Sequence, residues 1–398
     1  MRTPLALHNL WHQLTRTVVS VSGVGFALLL VFMQLGFQGA VSHTATNVFE
    51  HMQFDLLLRS TDYAHLYEPG RIGRTNLNVA AGLAEVDEVV PMWIALQNWR
   101  SLPPVDHPRL MRTYRPQFLP LAVMGVNPDD EVFDLKAITA SQYLLSADQN
   151  VLIDDSTRPD YGPRNGREFT DADNDRAAEI GGQHFKIAGV FKLGTGLAAN
   201  AAVLTSSTGF DRAVPWDANE QVSFGLVRLN RFDDAVIAAS KIRGRLGDGV
   251  AAVVVMTRQE VLDWERNRWL WETPIGLIFQ LGVALSLMVG AAIVYMVLAT
   301  DVTDRLPEYA TLLAMGYSYR YLSSVVLAQA AVLGIAGFLL AWMTSELLYR
   351  ITASASGIPI AMNAERVVSV AVLGVAVCLL SGVLALRKVW KAEPASLF

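Results

Sequence analysis

The 398-residue chain is 52% hydrophobic and only 17% charged, with a mean hydropathy of +0.31 and a formal net charge of −5. That composition lies between a soluble domain and an intramembrane bundle, and its acidity gives no reason to expect nucleic acid or an anionic surface as partner of the whole protein. The single cysteine, Cys378, falls in an apolar stretch, which excludes disulfides, cysteine metal sites and thiol nucleophiles elsewhere.

Residues 1–17 open with Thr3-Pro4, an N-cap followed by proline at the first helical position. Leu7, Leu10, Trp11 and Leu14 then make one apolar stripe, as expected of a short cytoplasmic helix in the membrane interface. Residues 18–37 are the first of four apolar stretches, the others being 275–300, 321–343 and 367–386. Each reaches the roughly 20 residues that cross a bilayer core of about 30 Å. The first is longer than the ~7–15 residues of a signal-peptide core, which favours a retained anchor over a cleaved signal. The chain is thus expected to be an α-helical membrane protein with four transmembrane helices, placed one and three around a large extracytoplasmic α+β domain.

That domain, 38–273, opens and closes with helices continuing the spans, at about 38–50 and 257–273. Thr257 and Glu260 have the capping-box spacing, and Trp269 and Trp271 suit an interfacial aromatic belt. The alternative is an ordinary helix and a linker. Between them the pattern gives a strand at 54–60, a helix at 76–85 and a strand at 89–99. A second strand, helix and strand follow at 222–226, 233–246 and 250–255. The segment between, about 101–221, is an inserted subdomain richer in strands and turns. Within it Phe185, Ile187, Phe191 and Leu193 mark a strand with one buried face, while 161–182 reads as a loop. Asp171, Asp173 and Asp175 imitate the start of a calcium loop, but Arg176 and Gly182 stand where its glycine and closing glutamate belong. A solvated loop is the better account, and no metal site is expected.

Lys and Arg near the spans set the orientation. Arg2, Arg16, Arg305, Arg320, Arg387, Lys388 and Lys391 outweigh Arg350 and Arg366, so both termini are expected inside, with a short outer loop at 344–366 and a cytoplasmic tail at 387–398. Gln34 and Gln329 suit helix–helix hydrogen bonds rather than a transport site. Ser286/Gly290 and Ala330/Gly334 are small-residue pairs that suit either a dimer seam or packing within the chain. No phosphate-cradling loop, nucleophile elbow or H-E-x-x-H occurs.

The cytoplasmic segment 301–320 differs in kind. Pro307 suits a first helical turn, Glu308 complements the positive helix end, and Gly316 suits its stop. Tyr309, Leu312 and Leu313 give an apolar face, which rests on the bundle or the membrane, or docks in a partner's groove. The stretch Glu308-Tyr-Ala-Thr-Leu-Leu-Ala-Met-Gly316 resembles the coupling helix of the MacB/FtsX class (type VII, mechanotransmission) of ABC transporter permeases. Residues 32–37, 273–276, 190–194, 295–301, Asp304 and the ending 387–395 resemble the DevC type within it. Two features depart from that pattern, Pro307 before the glutamate and the segment 166–176.

The resemblance implies a MacB-like porter domain with an inserted subdomain, in a homodimer of the cytoplasmic (inner) membrane. It implies a non-catalytic subunit without cofactors, ATP being held by a separate DevA-like ATPase. Glu308, Tyr309, Leu312, Leu313, Met315 and Gly316 would contact that ATPase. Further partners would be a DevB-like membrane-fusion adaptor and a TolC-like outer-membrane channel, for tripartite efflux of lipidic, glycolipid or other amphiphilic cargo. An FtsX-like regulator of a cell-wall hydrolase and a lipoprotein-releasing permease share the topology.

Overall fold

The computed structural model describes residues 14–194, 197, 199–230, 235–246, 253–304, 306–356 and 359–390, without the side chains of 14–16, 301, 306, 310, 313, 314, 355, 356 and 387–390. Residues 1–13 of the helix expected at 1–17 and residues 391–398 of the tail lie outside the described residues, while 14–17 run unbroken into the helix of the first apolar stretch. Two compact units result, one of residues 1–42 and 269–398, the other His43–Arg268.

Helix α1 (Leu14–His51) is unbroken for 38 residues. In the second unit, β1 (Leu56–Ser60) is buried along its whole length. There follow β2 (Ile72–Gly73), α2 (Arg74–Ala81) and the 15-residue β3 (Val86–Arg100). After α3 (Pro108–Thr113) come β4 (Phe118–Val126), α4 (Lys136–Ser141) and β5 (Asn150–Asp154). Next are β6 (Ala177–Ile180), β7 (Gln183–Phe191), β8 (Ala202–Ser206) and α5 (Ser207–Ala213). The unit ends with β9 (Gln221–Val222), β10 (Phe224–Leu229), α6 (Ala235–Leu246), β11 (Val253–Thr257) and α7 (Arg258–Asn267).

The strands order as β11-β1-β10-β3-β4-β8-β5-β7-β6. β1 pairs antiparallel with both β10 and β11, and β10 with β3. Two strand–helix–strand units, β1-α2-β3 and β10-α6-β11, therefore interleave with strand order 4-1-3-2, the split βαβ arrangement of ferredoxin-like folds. Helices α2 and α6 cover one face through Leu77, Ala80, Ala238 and Ile242. Phe49 of α1, Met52 just after it and Val261 of α7 cover the other. Sandwiching leaves the strand without an exposed face: Phe224, Gly225, Leu226 and Val227 are all buried, because both faces of β10 are covered.

β3 is long enough to serve two sheets. Its first half pairs with β10, whereas Trp93–Arg100 pair with β4. The insert then runs β4, β8, β5, β7, β6 and returns to β3 at Trp99↔Ile180, closing a six-stranded ring. Trp99, Tyr161, Phe169, Ile180 and Phe185 belong to one buried cluster, and the Trp99 indole N–H donates to the Tyr161 carbonyl at 3.0 Å. The expected loop 161–182 thus contains a strand, β6, and two buried aromatics, Tyr161 and Phe169. Asp173 within it is wholly buried. It accepts from the backbone N–H of Arg164 (2.8 Å) and Thr170 (3.1 Å) and pairs with Arg176 (2.5 Å).

In the first unit follow α8 (Pro274–Asp304), α9 (Leu306–Ala314), α10 (Tyr319–Ser356) and α11 (Ala364–Trp390). Helices α1, α8, α10 and α11 are each long and apolar enough to cross a membrane. Residues 344–356, expected in a loop, continue α10, because nothing there breaks a helix and Glu346 pairs with Arg350 one turn on (2.8 Å). Small residues carry the contacts. A methyl at Gly290 would lie 2.9 Å from Ala27, one at Gly334 3.0 Å from Cys378, and one at Gly382 3.4 Å from Ala330. The small-residue pairs therefore serve packing within the chain. The Gln34 amide lies against Gly282. Gln329 is buried, yet its Oε1 meets no hydrogen-bond donor among the described residues, so that atom does not make the expected helix–helix bond.

Candidate coupling site

Helix α9 is fixed at both ends by local chemistry. Pro307 and Glu308 occupy its first turn, and the Thr311 hydroxyl donates back to the Pro307 carbonyl (2.9 Å). At the other end Gly316 adopts φ +90°, a left-handed conformation that other residues rarely take. The Tyr317 N–H then bonds the Leu312 carbonyl (3.0 Å), the six-to-one bond of a Schellman stop. Ser318 starts α10 at once, its hydroxyl accepting from the Tyr321 N–H (3.3 Å).

Tyr309 turns inward. Its ring is 3% exposed and clusters with Val302 at the end of α8, Leu322 and Val326 at the start of α10, and Leu386 near the end of α11. Leu312 is half-buried against the same cluster. Leu313 is in the helix, but its side chain lies outside the described residues. Glu308, Met315 and Gly316 are exposed, Met315 at 63%. The six residues singled out by sequence thus divide: Tyr309 and Leu312 hold the helix to its own bundle, while Glu308, Met315 and Gly316 face outward. Sequence reasoning passed over Tyr317 and Tyr319, exposed at 48% and 42% beside Met315. Two aromatics just past the helix stop were the signal for them. The result is a short, firmly anchored helix with a carboxylate, a thioether and phenol rings on its outer side.

Two polar clusters organise the second unit. Tyr63 donates to the buried carboxylate of Glu265, and burial together with that carboxylate pushes the phenol pKa up. The Arg59 guanidinium lies over the rings of Tyr63 (4.5 Å) and Trp264 (4.3 Å), so cation–π contacts tie β1 to α7. The expected Thr257–Glu260 capping box closes reciprocally at the start of α7 (2.7 and 3.3 Å). In the second cluster Asp154 accepts from the N–H groups of Ser156 (2.8 Å), Leu193 (3.2 Å) and Gly194 (2.7 Å). Asn47 donates to the Leu193 carbonyl. The motif at 190–194 is therefore a strand end held by a buried carboxylate. No group of three or more His, Cys, Asp or Glu among the described residues is placed to hold a metal ion.

Residues 281–394 match the family profile described as FtsX-like permease C-terminal. That segment covers most of α8 and all of α9 and α10, and it ends just beyond α11. Two solved structures are similar to the chain. One is the periplasmic region of MacB from Actinobacillus actinomycetemcomitans (8% identity, 55% of this chain and 94% of that one, TM-score 0.36). The other is the extracellular domain of the noncanonic ABC-type transporter YknZ from Gram-positive bacteria (15% identity, 51% and 99%, TM-score 0.32). Likenesses that distant carry no argument about function. No curated protein sequence matches the chain significantly.

Proposed function

We propose that the chain is the membrane-spanning permease subunit of an ABC-type exporter of the FtsX/MacB class, and within it of the DevC type. The observation that carries this reading is the FtsX-like permease match over 281–394, the segment that presents α9 between two apolar helices. The subunit hydrolyses nothing itself. A separate cytoplasmic, DevA-like ATPase binds ATP and docks on the outer side of α9 through Glu308, Met315 and Gly316. Because Tyr309 packs on the ends of α8, α10 and α11 together, a push on α9 moves three helices at once. The apolar stretches 18–37, 275–300, 321–343 and 367–386 hold no Asp, Glu, Lys or Arg, which suits mechanical transmission better than a polar conduit. The chain works as a homodimer in the cytoplasmic membrane, with a DevB-like adaptor and a TolC-like channel, to export lipidic, glycolipid or other amphiphilic cargo.

The test is recovery of partners, identified by mass, after mild cross-linking in the native host. An ATPase together with a membrane-fusion adaptor is the expected result. An ATPase with a cell-wall hydrolase and no adaptor would move the reading to an FtsX-like regulator, and a lipoprotein chaperone would move it to a lipoprotein-releasing permease.

A further inference from the structure

On this acidic chain one exposed surface is strongly basic, and nothing described so far uses it. Helix α3 and the residues after it present Arg109, Arg112 and Arg115, all exposed, and the turn at 164–167 adds Arg164 and Arg167 beside them. The two segments are joined: the Asp106 N–H bonds the Arg164 carbonyl (3.0 Å), the Asp106 carboxylate pairs with the Arg164 guanidinium (2.7 Å), and Leu110 packs over Gly166. Arg109, Arg112 and Arg167 have no ion-pair partner among the described residues. Leu110 and Met111, which lie between Arg109 and Arg112 in the chain, are apolar and exposed at 43% and 45%, and Phe118, three residues past Arg115, is exposed at 66%. The platform is also firmly held. His107 caps α3 through Leu110 N–H (3.3 Å), Tyr114 donates to the Ser101 carbonyl, and the buried Asp173–Arg176 pair supports the 164–167 turn.

Guanidinium groups grip phosphate or carboxylate oxygens two at a time, and adjacent apolar side chains shelter methylenes. A surface of both kinds, on which five arginines face the carboxylates of Asp106, already paired with Arg164, and of the exposed Glu168, complements a molecule that is anionic at one end and greasy beyond it. We propose that α3 with the 164–167 turn is a capture surface for an amphiphilic lipid with an anionic headgroup. The inference rests on the export reading, whose cargo class it narrows from amphiphile to acidic amphiphile.

The full chain in phosphatidylcholine nanodiscs, immobilised for surface plasmon resonance with empty nanodiscs as blank, tests it. The probes are dihexanoylphosphatidylglycerol below its micelle concentration, the matching phosphatidylcholine, and glycerol phosphate alone. The phosphatidylglycerol is expected to bind at least about tenfold more tightly than either of the others. Arg109→Gln with Arg112→Gln and Arg115→Gln should lower its affinity by about a hundredfold, at about fivefold per arginine. Leu110→Ser with Met111→Ser should cost about tenfold. All five positions are exposed, and an unchanged thermal midpoint in both variants checks the fold. Equal binding of phosphatidylcholine, equal binding of bare glycerol phosphate, or full binding by the arginine variant would overturn the proposal. So would loss of a protein partner from the arginine variant when wild type binds no lipid, which would assign the surface to an acidic protein face. If wild type binds no lipid but still recovers ATPase and adaptor, this inference fails and the export reading survives. Headgroup-dependent binding without those partners would have the reverse meaning.

Discussion

Asp154 carries its carboxylate with no exposure to solvent. Burial pushes its pKa up from 3.8 to about 6, against the opposing hydrogen bonds from Ser156 and Gly194. The folded state therefore holds this proton more tightly than the unfolded chain does. Its favourable contribution is complete below about pH 4 and is lost as pH rises through about 6, a loss of about 3 kcal/mol. Asp154→Asn, neutral throughout, is expected to flatten the fall in stability between pH 4 and pH 7, read as the denaturation midpoint at each pH. An unchanged slope would exclude Asp154 as its source. Tyr67 is also buried, and its phenol is pushed up first by burial and then by the charge of Asp154.

Among the elements, the turn between α7 and α8 has the most specific local chemistry. Arg268–Glu272 forms one π-turn directly before Pro274. Proline has no N–H to give, so carbonyls behind it need other donors. The Thr273 hydroxyl donates to the Trp269 carbonyl (2.7 Å), and the Gln280 side-chain amide donates to the Leu270 carbonyl (2.6 Å). A methyl at Gly276 would collide with both carbonyl oxygens, whereas one at Gly244 in α6 would meet nothing within 4 Å. Gly276→Ala should therefore lower the thermal midpoint by several degrees, and Gly244→Ala should leave it unchanged or raise it slightly, since a helical alanine gains ~0.5–1 kcal/mol of stability over glycine. Similar effects from both would contradict the π-turn account. The elements legible in sequence were those set by local chemistry: four apolar helices by length, the Thr257–Glu260 box by spacing, and the stop at Gly316 by residue type. What escaped was set by distant partners. Ring closure rests on Trp99 meeting Ile180, 81 positions on, and no periodicity reports that pairing. Spacing placed Tyr309 and Leu312 on one face of α9, but only Val302, Leu322 and Leu386 decide that this face turns inward.

At the scale of the whole molecule, orientation and coupling are the open tests. Asp171 is exposed, unlike the buried Asp173 two residues later, and the single native cysteine, Cys378, is buried. Asp171→Cys in a Cys378→Ser background should react with an impermeant maleimide in intact spheroplasts. Reaction only after lysis would invert the expected orientation. The central claim is that the outer side of α9 recruits an ATPase, and the direct measurement is its co-purification with wild type against Met315→Asp. At 63% exposure Met315 can change without disturbing the bundle, while an aspartate buried unpaired in a docking groove costs several kcal/mol. The account expects the wild type to recover the ATPase and the variant to lose at least about 95% of it while inserting normally. Equal recovery by both would contradict the assignment of α9 as the coupling site.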